Sequence, residues 1–410
     1  MLKKSLIAIA TLGAFAGSAM AADITISGRI DTGLNFQDIE IQEGGVTTYD
    51  ENTFQMKTGQ YSSSRVTIKG SEDLGNGMKV GFILENGFNS DDGALAQEDK
   101  LFGREAIVYV EGGFGHISMG REGALSSGVG SYNLVYGFNP FGTGWSLASN
   151  NGEFMLGDRS RWNNTITYRS PEFAGAQVFA QYSFDADGQE DVHTGVNKRY
   201  AALGATYKLG AFNTGLVVDT IMNGRDDETR NTEDSLGISW GASYDLGVTK
   251  PMILVQYGKN ENNLGGWSAT EYFEDYSQDG AGRHIGNNEG MKGYAIALGA
   301  VTPLFGGNLY TAVNFTDGET DGDVHYGYTG ADKVAHYDSS RVMTADIQRW
   351  GIAVGYDYPL SKRTKLYGFA SYSEGEMDRT ESDKGVVNAN YTNKIEETTI
   401  EAGVGLIHYF

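Results

Sequence analysis

Four arginines and three carboxylic acids are the residues of this 410-residue sequence whose types and positions could act together on a solute. Arg29, Arg65 and Arg104 each stand on the polar side of a short alternating stretch, and Arg121 ends a fourth. Glu122, Glu153 and Asp158 fall in the stretch Glu122 to Trp162, 41 residues with neither a helical nor a strand period. The chemistry open to such a set is electrostatic, because charges lining a narrow water-filled space select among ions and orient dipolar solutes. Covalent chemistry has no comparable footing. His116, His193, His284, His325, His336 and His408 are scattered without metal-type spacing, cysteine is absent, and no serine, histidine and aspartate fall together. The sequence predicts no enzyme, no cofactor and no metal centre.

The elements that would position these charges are strands. In the first, Ile24, Ile26, Ile30, Leu34 and Phe36 share one face and Thr25, Ser27, Arg29, Asp31 and Asn35 the other. In the next, Val66 and Ile68 oppose Arg65, Thr67 and Lys69. Sixteen such stretches can be marked between Ile24 and Phe410. Short connections such as Leu209–Gly210 and Pro359–Thr364 alternate with long polar ones such as Gln37–Gln60, Lys259–Met291, Thr316–Ile347 and Glu374–Glu397. No segment after the N-terminus offers the ~20 uninterrupted apolar residues of a membrane helix. A closed barrel is the other way to satisfy every backbone group within lipid. The expected fold is therefore all-β: a transmembrane antiparallel β-barrel of about 16 strands with short periplasmic turns and long external loops. Side chains alone cannot fill a barrel of that width, so water remains inside. The stretch 122–162, with eight glycines and seven aromatics, is expected to pack inside the barrel and narrow it.

Residues 1–21 read as a separate unit, a secretory signal peptide. Lys3 and Lys4 precede an apolar run from Leu6 to Gly17, and Ala19-Met20-Ala21 offers a cleavage site. Residues 22–410 then form a single barrel domain. Loss of the two leader lysines takes the formal charge from −22 to −24. Such a surface repels nucleic acid and attracts cations. The acid runs Asp185 to Asp191 and Asp317 to Asp323 lack the full spacing of calcium loops and read as solvated external loops.

Several motifs in order resemble the general porins of Gram-negative bacteria. They are Ser64 to Gly75 (SRVTIKGSEDLG), Leu101 to Arg104 (LFGR), Gly112 to Gly115 (GGFG), Met119 to Arg121 (MGR), Asn163 to Gly175 (NNTITYRSPEFAG) and the terminal Phe410. The resemblance implies a 16-stranded homotrimer in outer-membrane lipid and lipopolysaccharide, with the third external loop folded into the pore. It implies that Arg29, Arg65, Arg104 and Arg121 form a basic wall facing loop acids, here Glu122, Glu153 and Asp158. It also implies that Phe410 is read by the barrel-insertion machinery. Asn139-Pro140-Phe141-Gly142 departs from relatives that carry an acid before the proline. The expected function is passive diffusion of small hydrophilic solutes and ions with a modest cation preference. The alternative is a channel selective for a sugar, amino acid or dicarboxylate, marked by a continuous aromatic or basic track.

Overall fold

The computed structural model describes residues 23–97, 100–145, 159–186, 197–223, 233–268, 283–286, 290–320, 324–329, 335–383 and 390–410. The expected signal peptide, Glu153 and Asp158 lie outside the described residues. Strand β1 is Thr25–Glu43; β2 comes in two pieces, Val46–Thr58 and Arg65–Gly75. Then follow β3 (Met78–Gly87), β4 (Glu105–Gly112), β5 (Gly115–Gly123), β6 (Arg161–Arg169), β7 (Ala176–Ser183), β8 (Arg199–Leu209) and β9 (Phe212–Met222). The second half has β10 (Leu236–Tyr244), β11 (Lys250–Glu261), β12 (Met291–Leu304) and β13 (Gly307–Thr320). It ends with β14 (Ala335–Pro359), β15 (Thr364–Asp383) and β16 (Asn390–Tyr409). Each pairs antiparallel with the next, and β16 pairs with β1 from Arg29↔Tyr409 to Glu43↔Ile395, which closes the ring. The seam is completed by Phe410, whose backbone exchanges two 3.1 Å hydrogen bonds with Gly28.

The faces are the reverse of a soluble protein's. On β1 the isoleucines Ile26 and Ile30 are 65% and 43% exposed, whereas Asp31 and Asn35 are fully buried on the inner wall. Isolated exposed apolar residues are ordinary, but a band of them around a closed sheet marks a lipid-facing surface.

Two regions differ from the sequence reading. The expected polar loop Gln37–Gln60 is instead a hairpin that prolongs β1 and returns through Val46–Thr58. The chain then leaves the sheet at Gly59–Ser64 and folds onto the inner face of β1. There Asn35 donates to Gln60 Oε1 (3.0 Å) and the Ser62 N–H donates to Asp31 (2.7 Å). Strands β14, β15 and β16 run for 25, 20 and 20 residues, where about 9–11 suffice to cross a bilayer. Their upper halves stand clear of the hydrocarbon. Polar side chains such as Glu374, Glu376 and Glu396 occupy the outer positions there, so no lipid-facing apolar row marked them as strand.

Candidate functional site: the inner wall and the loop upon it

Arg29 and Arg65 are direct cross-strand partners, a like-charge pair that is unfavourable in a sheet unless compensated. The compensation is local. Ser62 Oγ accepts from Arg29 (2.8 Å) and from Arg65 (3.3 Å), and Glu85 of β3 accepts from Arg65 (3.3 Å) and from Arg104 (2.7 Å). Thr67 fixes the other Glu85 oxygen at 2.7 Å. The ring of Tyr409 lies 5.4 Å beneath the Arg29 guanidinium. Three of the predicted arginines are thus brought together, with Arg104 just ahead of β4 rather than within a strand. Arg161, at the start of β6, adds its charge to Arg65 and Arg104. Arg121 joins from the side and is tied to the Gly103 carbonyl (2.9 Å) and Asn163 (2.7 Å).

The expected acidic partner Glu122 is not on the loop. It is a strand residue at the end of β5, fully buried. Ser118 and Thr165 donate to it at 3.0 Å, and Thr167 also donates. The carboxylate stays on the inner side with Ser118, which also bonds Tyr132 of the loop, so the loop lies over it. Glu122 is therefore an anchor, and the expectation that it opposes the arginines is corrected.

The loop between β5 and β6 is held at its base, along its length and at its far end. At the base the Ala124 N–H meets the Ser160 carbonyl (3.0 Å). Ser126, on the outgoing arm, and Arg159, on the returning arm, both bind Asp219 of β9. Arg159 reaches Asp219 at 2.5 Å, Glu261 of β11 at 2.8 Å and Ser235 at 3.2 Å. Burial alone would lower the Arg159 pKa. The two carboxylates outweigh it and hold the guanidinium charged, with its pKa well above the ordinary value.

Along its length the loop rides on glycines of the inner wall. A β-carbon at Gly204 of β8 would lie 2.6 Å from Leu134, and one at Gly299 of β12 would lie 2.5 Å from Pro140. At Gly215 and Gly241, of β9 and β10, it would meet Leu134 and Phe138. At the far end Gly355 of β14 leaves room for Trp145 and Phe141, at 2.9 and 3.0 Å from a β-carbon there. Trp145 takes a left-handed backbone (φ 71°), and its ring centre lies 4.6 Å from that of Tyr61. Asn139, the departure noted before Pro140, caps this turn by accepting from the Phe141 N–H (3.0 Å). Burying each such large apolar side chain contributes about 1.5–3 kcal/mol. The rings around Trp145, including Phe141, Tyr367 and Phe369, are buried by the loop and form no open aromatic track.

The glycine seat makes a prediction. Gly241→Val is expected to destabilise the loop's docking by about 1–3 kcal/mol, the usual effect of overpacking. It should also push Phe138 toward the lumen and lower single-channel conductance. Unchanged conductance in a folded variant would mean that Phe138 does not press on this wall.

Comparison with known proteins accords with this geometry. Residues 6–378 match the sequence profile described as Gram-negative porin. The chain is 28% identical over 433 residues to an outer membrane porin protein of Bordetella pertussis, with 100% of both chains covered. It is 28% identical to outer membrane porin protein 32 of Delftia acidovorans, over 98% of this chain and 99% of that one. The anion-selective porin from Comamonas acidovorans superposes with a TM-score of 0.57, covering 95% of this chain and 100% of that chain at 22% identity, a likeness of fold alone. With a closed barrel that is apolar outside and polar within, and a profile match over most of its length, the chain belongs to the Gram-negative porin family of the outer membrane.

Proposed function

We propose that this outer-membrane porin is a passive diffusion channel for small hydrophilic solutes and ions. Its narrowest part lies between the arginine group (Arg29, Arg65, Arg104 and Arg161) and the loop 122–162. One observation carries the reading of its charge preference. Among the described residues, the inner-wall acids Asp31, Asp219, Glu261, Asp357 and Glu401 are buried, whereas Arg29, Arg65, Lys57 and Lys365 keep part of their surface open. Lys57 pairs with Glu401 (3.7 Å) and Lys365 with Asp357 (2.8 Å), so these acids are matched while the arginine group exceeds its partner Glu85. Among the described residues, the open charge of the inner wall is basic although the whole chain is acidic. This favours a modest anion preference, the sense printed in the name of the Comamonas porin, over the cation preference expected from net charge. The buried aromatics give the solute-specific alternative no support.

Membership of the family supports a homotrimer in the outer membrane, and lipopolysaccharide around it is part of the same proposal. Phe410 suits the role of insertion signal, because its ring lies on the exposed outer face over Gly28 at the seam.

Reversal potentials of the reconstituted protein in a salt gradient test both halves of the proposal. The expected outcome is an open conductance with a small potential of anion sign. A clear cation sign would overturn the preference, and vesicles left impermeable to small sugars would overturn the channel.

A further inference from the structure

A wet lumen calls for polar inner faces, and the lower wall has them. Near the external mouth the pattern changes. Met291 of β12, Ala345 and Ile347 of β14, Met377 of β15 and Ile395 of β16 point inward and are almost fully buried, with Ile41 of β1 packed beside them. What covers them is a small hairpin just after β11, Asn263–Leu264 paired with Trp267–Ser268. Its turn, Gly265-Gly266, has both φ angles positive (61° and 81°), a backbone that glycine adopts without strain. Leu264 is seated against two glycines of the inner wall. A β-carbon at Gly293 of β12 would lie 2.6 Å from Leu264 Cδ2, and one at Gly318 of β13 would meet the same atom. Trp267 is fully buried, with the Arg349 guanidinium 5.4 Å over its ring. Arg349 in turn binds Glu397 of β16 at 3.1 Å.

We propose that this hairpin is a second segment folded into the lumen, one that narrows the external vestibule in series with the loop 122–162. Three features argue that it is a fixed part of the channel: an apolar inner wall that would otherwise face water, a glycine seat cut for Leu264, and a cation stacked on Trp267 and held by its own carboxylate. Two narrowings in series add their resistances, so the hairpin lowers conductance and slows large solutes in addition to the loop, where the path is narrowest. Charge preference is left to the arginines below. The inference rests on the diffusion-channel reading.

The test compares wild type with the double variant Leu264→Ala/Trp267→Ala in planar bilayers and in liposomes swollen with sugars of graded size. Freeing the hairpin is expected to raise single-channel conductance roughly 1.5-fold, since a pore's conductance follows its narrowest sections. Swelling with a trisaccharide should rise more than with a monosaccharide, and the reversal potential should stay as in wild type. A folded double variant with wild-type conductance and wild-type sugar cut-off overturns the inference while the channel reading stands. Wild-type protein that conducts nothing overturns the channel reading itself.

If the double variant does not fold, Leu264→Cys/Gly318→Cys decides, in a chain that has no other cysteine. A β-carbon at Gly318 would meet the tip of the Leu264 side chain, so the two positions are neighbours only when the hairpin is seated. Oxidation to a staple with wild-type conductance supports the seated hairpin, and failure to cross-link in folded barrels overturns it.

Discussion

Arg159→Met is expected to cost the folded barrel about 3–5 kcal/mol, because it strands two buried carboxylates that now share one guanidinium. Asp219 lies 2.5 Å and Glu261 2.8 Å from Arg159, and all three side chains are almost wholly enclosed. The loss has two components. Two acids that face each other in a dry site repel, and one of them must take up a proton or draw in water. The returning arm of the loop also loses its tether, since Arg159 is what joins it to β9 and β11. The first component lowers the temperature at which the folded barrel converts to the unfolded band on a gel. The second raises current noise in single-channel records. The triple variant Arg159→Met/Asp219→Asn/Glu261→Gln separates them: with no charge left to strand, most of the stability should return while the noise remains. A single variant as heat-resistant as wild type would sink the latch.

The parts that were legible in the sequence share one physical property: they face lipid on one side and water on the other. Ile24 to Phe36 and Val66 with Ile68 could be placed because hydrocarbon demands an apolar residue at every second position. Where the sheet rises out of the bilayer that demand stops. The upper parts of β14 to β16 and the hairpin Val46–Thr58 therefore read as loop although they are hydrogen-bonded strand. Parity also placed Arg29 and Arg65 correctly, since each lies within a regular strand. Glu122 was read as the first residue of the aperiodic stretch, whereas it belongs to the end of β5 and shares the inner face with Ser118. Arg159 was out of reach for another reason: its partners are 60 and 102 residues away in the chain, and nothing local pairs them. The glycines held a usable signal. Gly204, Gly215, Gly241, Gly299 and Gly355 lie inside strands, not at turns, and a glycine at an inward position there marks a surface that something else must approach closely.

The second large effect is on ions. Exchanging Arg29 and Arg65 together for glutamine is expected to move the permeability ratio toward cations by about 3-fold or more. A unit charge some 4 Å from an ion contributes about 1 kcal/mol in water. Salt at 0.1 M screens over about 10 Å, so charges this near the path keep most of their influence. Removing two such charges leaves Arg104 and Arg161 beside Glu85 and takes away half of the group's positive charge, which weakens its pull on anions. Stability should change little or rise, because the two guanidiniums sit opposite each other across β1 and β2 and their repulsion disappears with them. That pairing of outcomes is the informative part. A group kept for structure would show its loss as a lower unfolding temperature with an unchanged reversal potential. A group kept for selecting ions would show the opposite, and the arrangement of Arg29, Arg65 and Glu85 around Ser62 points to the second.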